Sequence, residues 1–243
     1  MVLKDKFPVD IVLSPEWWNV HEGIVFDRDF FFHPLKRVES EQKMEKALYE
    51  RWGKYGLGAN KDEKRPEVGA VHLAAGFMLS EMMGCEVRYS ENHPPQVIEC
   101  SHTMISTDDY ENVLLEYDIK WSQQKRPFGI HYCGSDPHRF AASFARIPHL
   151  DFLDLGWGGD VKLLREYLPD TFFNLRLSPV EIKRQEETEI RDTIIRLVSE
   201  SGNPYLTGIC CINMDDTVGD KKIDTIFETI EELRKGYNHG GQI

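Results

Sequence analysis

The sequence predicts an α/β fold built on a parallel sheet. Three observations carry that reading. Short apolar runs alternate with longer amphipathic ones from about residue 126 onward. The amphipathic runs are bounded by helix-start and helix-stop residues. The length, 243 residues, suits one α/β domain, a β/α barrel commonly taking about 250.

The elements follow in order. FGIHYC (128–133) reads as a buried strand, followed by a helix near 138–146. DFLDLG (151–156) is a second strand, with a helix over 160–168. TFFNLRL (171–177) is a third, followed by a long helix, and YLTGICCINM (205–214) is a fourth, followed by a helix over 222–235. Ser178, Pro179 and Glu181 combine an N-cap, proline at the first helical position and a capping-box acid. Gly202 and Gly236 stand where C-terminal caps belong. Strands joined through helices imply parallel pairing with right-handed crossovers.

Residues 1–104 are less regular and are read as the irregular N-terminal part of a single domain whose βα units occupy 105–243. Helices are expected over 41–55, 66–83 and, capped by Ser106 or Thr107, over 107–125. CEVRY and QVIEC, around Pro94-Pro95, read as a hairpin or two edge strands. The aromatic-rich stretch 14–35, with Trp17, Trp18, Phe26, Phe30, Phe31 and Phe32, reads as core packing under a long loop or as a lid over a flat ligand. Four βα units leave a sheet edge open, so either the N-terminal segments complete the sheet or a second copy of the chain does, as a homodimer.

Composition narrows the functional classes. With 29 Lys+Arg against 41 Asp+Glu the formal net charge is −12, which argues against a nucleic-acid partner, since phosphate binding draws on clustered cations. Five cysteines, at 85, 100, 133, 210 and 211, are too few and too unevenly spaced for a disulfide framework. No apolar run approaches a membrane span and the N-terminus lacks a signal-peptide core, so no membrane partner and a cytoplasmic location are expected.

The chemistry gathers at three residues. His131 and Cys133 are two apart on one strand and so share a face, at its C-terminal end. In parallel α/β folds catalytic groups collect at that rim. Cys210 and Cys211 lie near the end of the last strand, and the pleat lets only one of them join the first pair. A His-Cys-Cys set offers Zn²⁺ three borderline or soft ligands and one open position, the pattern of a catalytic site. HxC on a strand, and a Cys-Cys pair in a buried one, also read as plain core packing.

The segments IHYCGSDPHRF, FLDLGWGGDVKLLREYLPD and FFNLRLSPVEI resemble the C-terminal half of the uroporphyrinogen decarboxylase superfamily, which includes zinc-dependent methylcobalamin:coenzyme M methyltransferases. The likeness runs over about 105–236, with weaker similarity around 17–29 and 68–89. It implies a TIM-type (β/α) barrel. It further implies that His131 and Cys133 match the His-x-Cys zinc motif of the methyltransferase branch, and that Cys210, in Cys210-Cys211-Ile212, matches the distant cysteine. Asp154 would be the catalytic acidic residue, a fourth ligand or an orienter of one. The implied cofactors are zinc and a corrinoid, and the implied partners a corrinoid protein and a small thiol substrate. Longer members carry additional residues where this chain has 99–105, so the barrel is expected to be shortened or incomplete. The decarboxylase branch carries an arginine-rich RxAGRY motif where this chain has PVDIVLSPEWW. A metal-free decarboxylase-like enzyme and a non-catalytic subunit that binds a corrinoid or another partner are the alternatives.

Overall fold

The computed structural model describes residues 6–55, 57, 78–80, 96–98, 100–124 and 126–238. Among the described residues seven strands form one sheet: β1 (Val9–Leu13), β2 (Met78–Ser80), β3 (Gln96–Ile98), β4 (Gly129–Tyr132), β5 (Phe152–Leu155), β6 (Phe172–Leu177) and β7 (Thr207–Met214), in the spatial order β2-β1-β7-β6-β5-β4-β3. All pairs are parallel except β1–β2. Among the described strands, the first in sequence therefore lies beside the last. The outer strands β2 and β3 are not paired with each other among the described residues.

The helices in chain order are α1 (Pro15–Glu22), α2 (Arg28–Phe32), α3 (Pro34–Trp52), α4 (Thr107–Asp109), α5 (Leu115–Gln124), α6 (Ala141–Phe144), α7 (Val161–Tyr167), α8 (Pro179–Arg184), α9 (Glu187–Ser201) and α10 (Asp220–Asn238). No helix among the described residues is long and apolar enough to cross a membrane. α4 and α5 are joined through a π-helical turn, Tyr110–Leu114, and α4 opens with a reciprocal box between Ser106 and Asp109. Gly202 closes α9 at φ 69°, a left-handed position that glycine adopts without Cβ strain.

The pleat sorts the sheet into two faces. Alternate residues Val9, Ile11, Ile130, Leu153, Leu155, Phe173, Leu175, Leu177, Ile209 and Cys211 are at most 2% exposed. They share one apolar cluster with Ile190, Ile194 and Val198 of α9 and Ile226, Phe227 and Ile230 of α10. Burying each such side chain contributes about 1.5–3 kcal/mol, so this face anchors the fold. The residues between them, on the opposite face, form layers. Phe152 and Phe172 stack at 5.7 Å near the strand starts, against Gly129 and Gly208, which leave room for the rings. Above them lie His131, Asp154 and Asn174 in one register row, and then Arg176 beside Cys210.

Several sequence expectations are corrected. The segment 14–35 is not a long loop but holds α1 and α2, because Ser14 and Asp27 cap them by accepting from the Trp17 and Phe30 amides. Trp17, Trp18 and Phe30 are core residues, whereas Phe32 is exposed. The helix expected over 66–83 gives way at Met78–Ser80 to β2, which satisfies the backbone groups of the β1 edge; the rest of that segment, like CEVRY, lies outside the described residues. Of QVIEC, Gln96–Ile98 is an edge strand. The long helix after β6 is two, since Gln185 is extended and Glu186 starts a capping box with Glu189. The helix expected near 138–146 is a 3₁₀ turn, Pro137–Phe140, followed by the short α6. Gly236 does not cap α10, which runs on to Asn238 because the Tyr237 ring packs edge-on against Phe7 at 5.2 Å.

Gly156 fixes how the exits of β4 and β5 meet. A Cβ there would lie 1.8 Å from the Gly134 carbonyl oxygen and 3.0 Å from the Cys133 carbonyl carbon. Both neighbours are backbone and cannot step aside. Gly156→Ala is expected to lower stability by about 1–3 kcal/mol, the usual cost of overpacking, read as a drop in urea midpoint with unchanged slope. Wild-type stability in that variant would show that the two loops separate freely.

Candidate functional site

The polar layers of the open sheet face make the site. His131 leaves β4 and Cys133 follows directly after it, so both project to the same side. The imidazole Nε2 is 2.7 Å from Cys133 Sγ. Its Nδ1 faces Asp154 Oδ2 in a close contact. Because a carboxylate only accepts, this contact places the imidazole proton on Nδ1 and leaves Nε2 turned to the thiol.

Asp154 is the hub. Besides His131, its Oδ2 accepts from Arg176 Nη2 at 2.5 Å, and its Oδ1 accepts from Asn174 Nδ2 at 3.2 Å and from Cys210 Sγ at 3.7 Å. Asp154 and Arg176 are 8% and 4% exposed, so this ion pair is buried. His131, Cys133, Asp154 and Cys210 are thus brought into one connected network from β4, β5 and β7. Cys211 is excluded from it by the pleat. It lies fully buried on the helix face, where burial pushes its thiol up to about 12.

Arg176 and Asn174 were not anticipated. The signal was present: two polar residues at alternate positions in the otherwise apolar FFNLRL, an anomaly in a central parallel strand. The Arg176 guanidinium sits among the donors, with Nη2 3.2 Å from His131 Nδ1 and Nη1 4.0 Å from Cys133 Sγ. Burial alone would lower its affinity for the proton, but the facing Asp154 and Cys210 outweigh that and hold it charged. Burial likewise disfavours the His131 imidazolium, and Asp154 again outweighs it, raising His131 above the ordinary histidine range.

The donor types fit zinc, since one imidazole nitrogen with a carboxylate on its other nitrogen and two sulfurs is the chemistry of such sites. The arrangement is another matter. Among the described residues, no group of three or more His, Cys, Asp or Glu side chains is positioned to hold a metal ion. The cation lying between these donors is the guanidinium.

Beside this centre, at the same rim, is a pocket of about 240 Å³ bordered by Leu155, Trp157, Leu177, Ile182, Gln185 and Thr193. Gln185 donates to Thr193 Oγ1 at 3.3 Å, while its Oε1 is buried with no hydrogen-bond partner among the described residues. The pocket thus offers an apolar wall with a free acceptor, suited to a small molecule carrying an N–H or O–H group.

Breaking a buried ion pair from one side leaves an uncompensated charge, which costs about 3–5 kcal/mol. Arg176→Met is expected to lose that much stability in urea unfolding. Arg176→Met combined with Asp154→Leu is expected to recover most of it. Losses that simply add would show that the two side chains are not energetically coupled.

No family model matches the chain, and no curated protein matches it in sequence. Among solved structures the chain is similar to a methyltransferase from Methanosarcina mazei, at 13% identity and a TM-score of 0.43, over 57% of this chain and 42% of that one. The match therefore spans less than half the length of that methyltransferase.

Proposed function

We propose that the chain is a zinc-dependent methyltransferase that moves a methyl group between a corrinoid, carried by a partner protein, and a small thiol, on a shortened β/α barrel. The observation that carries this reading is the orientation of His131. Its Nδ1 is committed to Asp154, so Nε2 faces Cys133 Sγ, which is how a metal-ligating imidazole is held. His131, Cys133 and Cys210 would hold the ion, and Asp154 would orient the imidazole rather than serve as a fourth ligand.

Bound zinc supplies a Lewis acid that lowers the pKa of an incoming thiol. The protein's own part is positional. Asp154 fixes the imidazole tautomer, and Asn174 holds the second carboxylate oxygen at 3.2 Å.

A second reading is favoured by one observation, the guanidinium among the donors. In it the centre works without metal, as a decarboxylase-like enzyme whose charge balance comes from Arg176. Metal content separates the two. The first reading expects one zinc per chain in the purified protein, lost in Cys133→Ser and in Cys210→Ser and retained in Cys211→Ser, by elemental analysis. Full zinc in both of the first two variants would falsify the ligand assignment. A zinc-free protein that releases carbon dioxide from a carboxylate substrate in the presence of a chelator would establish the second.

A further inference from the structure

We propose that the pocket bordered by Leu155, Trp157, Leu177 and Gln185 is a second small-molecule site, for a neutral ring compound carrying one N–H or O–H group. It lies at the same rim as the thiols but on the other face of the sheet, and it does not rest on the zinc reading.

Place and size come first. Leu155, Leu175 and Leu177 wall the pocket and belong to the apolar face that packs against α9. Asp154, Asn174 and Arg176 alternate with them, so their side chains project the other way. β5 and β6 therefore stand between the pocket and the network around Asp154. The pocket lies at the C-terminal ends of these parallel strands, between the turn 156–159 and the start of α8, where α/β sheets bind ligands. Folded interiors hold few voids larger than a water molecule. This one measures about 240 Å³, and an apolar cavity of about 150 Å³ is enough to hold benzene. One ring or two fused rings fit.

The chemistry of the border narrows the ligand. Gly156 approaches the Gly134 backbone, and a Cβ at Gly159 would lie 2.7 Å from the Pro137 ring, so the turn is fastened at both ends. That turn holds Trp157 at the border with its side chain 41% exposed, and a flat ring seated there would cover the indole. Gln185 gives its Nε2 to Thr193 and keeps a buried Oε1 that has no hydrogen-bond partner among the described residues. Such an acceptor is costly to leave unpaired, and a ligand N–H or O–H supplies the missing donor once the amide turns toward it. The charged residues at the border are each matched: Arg176 by Asp154, Glu181 by Arg184 at 3.8 Å and Arg196 by Glu200 at 2.8 Å. A neutral ligand is therefore favoured over an ion, whose charge would be buried without a counterpart.

The test uses the full chain with two isomeric probes, 3-methylindole and 1-methylindole, of which only the first keeps its N–H. Titrations followed by two-dimensional NMR are expected to shift the Trp157 indole and Gln185 amide resonances, assigned by their loss in Trp157→Phe and Gln185→Met. The wild type is expected to bind 3-methylindole about fivefold or more tightly than 1-methylindole. Gln185→Met keeps the apolar volume and removes the acceptor, so in it the two isomers are expected to bind alike. A preference that persists in Gln185→Met reflects the position of the methyl group and overturns the proposal. Equal binding of the isomers by the wild type overturns it too, as does binding that leaves the Trp157 and Gln185 signals unmoved. So does the absence of binding by either probe. Should Gln185→Met fail to fold, the wild-type ranking of the isomers and the two resonances still decide.

Discussion

A single buried carboxylate organises the candidate site. Asp154 is approached by an imidazole, a guanidinium, an amide and a thiol, and each of these is held in place by what the carboxylate can accept. An ionised aspartate in a dry sheet face is costly unless its oxygens are satisfied. Here both oxygens are engaged, one by the two groups that bear or can bear positive charge and the other by neutral donors. The division has a consequence for His131. With Nδ1 turned to the carboxylate, the ring presents Nε2 at the rim, toward the sulfur of Cys133.

That hub can exist because the sheet separates two tasks. Parallel strands are normally apolar on both faces, and this sheet is so on only one. The helix-covered face supplies the cohesion, through the strand residues packed against α9 and α10. The other face is freed to carry polar groups, with the stacked Phe152 and Phe172 as an apolar floor beneath them. The Gly156 contact with Gly134 then draws the exits of β4 and β5 together, and Cys133 lies immediately before that contact. Packing on one side thus sets the precision of the chemistry on the other.

Most of the C-terminal half was legible in the sequence, because its strands are apolar runs of the right length and its helices carry side-chain caps. Ser178 and Gly202 cap helices as their types suggest. The N-terminal part was harder for physical reasons. VDIVL at 9–13 is broken by an aspartate and is too short to show a period, and its identity as β1 depends on pairing with β7, about 200 residues away. The stretch Met78–Ser80 becomes a strand only because β1 offers it an edge. At the site, residue type and pleat point to His131, Cys133 and one of Cys210 and Cys211, and only the resemblance singles out Cys210. Arg176 shows in the sequence only as a polar anomaly in FFNLRL, and its role becomes legible once Asp154 is seen to face it from the neighbouring strand.

Cys210 and Cys211 show how much of the chemistry is geometry. They are adjacent, identical in composition and both nearly inaccessible to water. Cys210 meets Asp154 and the guanidinium, a polar surrounding in which a sulfur can exchange its proton or accept a metal. Cys211 meets only the apolar packing of the helix face, and its thiol is pushed up to about 12. A shift of β7 by one residue would exchange the two fates. The register between β6 and β7, which places Arg176 opposite Cys210 and Leu177 opposite Cys211, is therefore what selects the sulfur available for chemistry. That register is enforced from the helix side, by the fit of Ile209 and Cys211 into the core, so the apolar face that takes no part in the site decides which cysteine belongs to it.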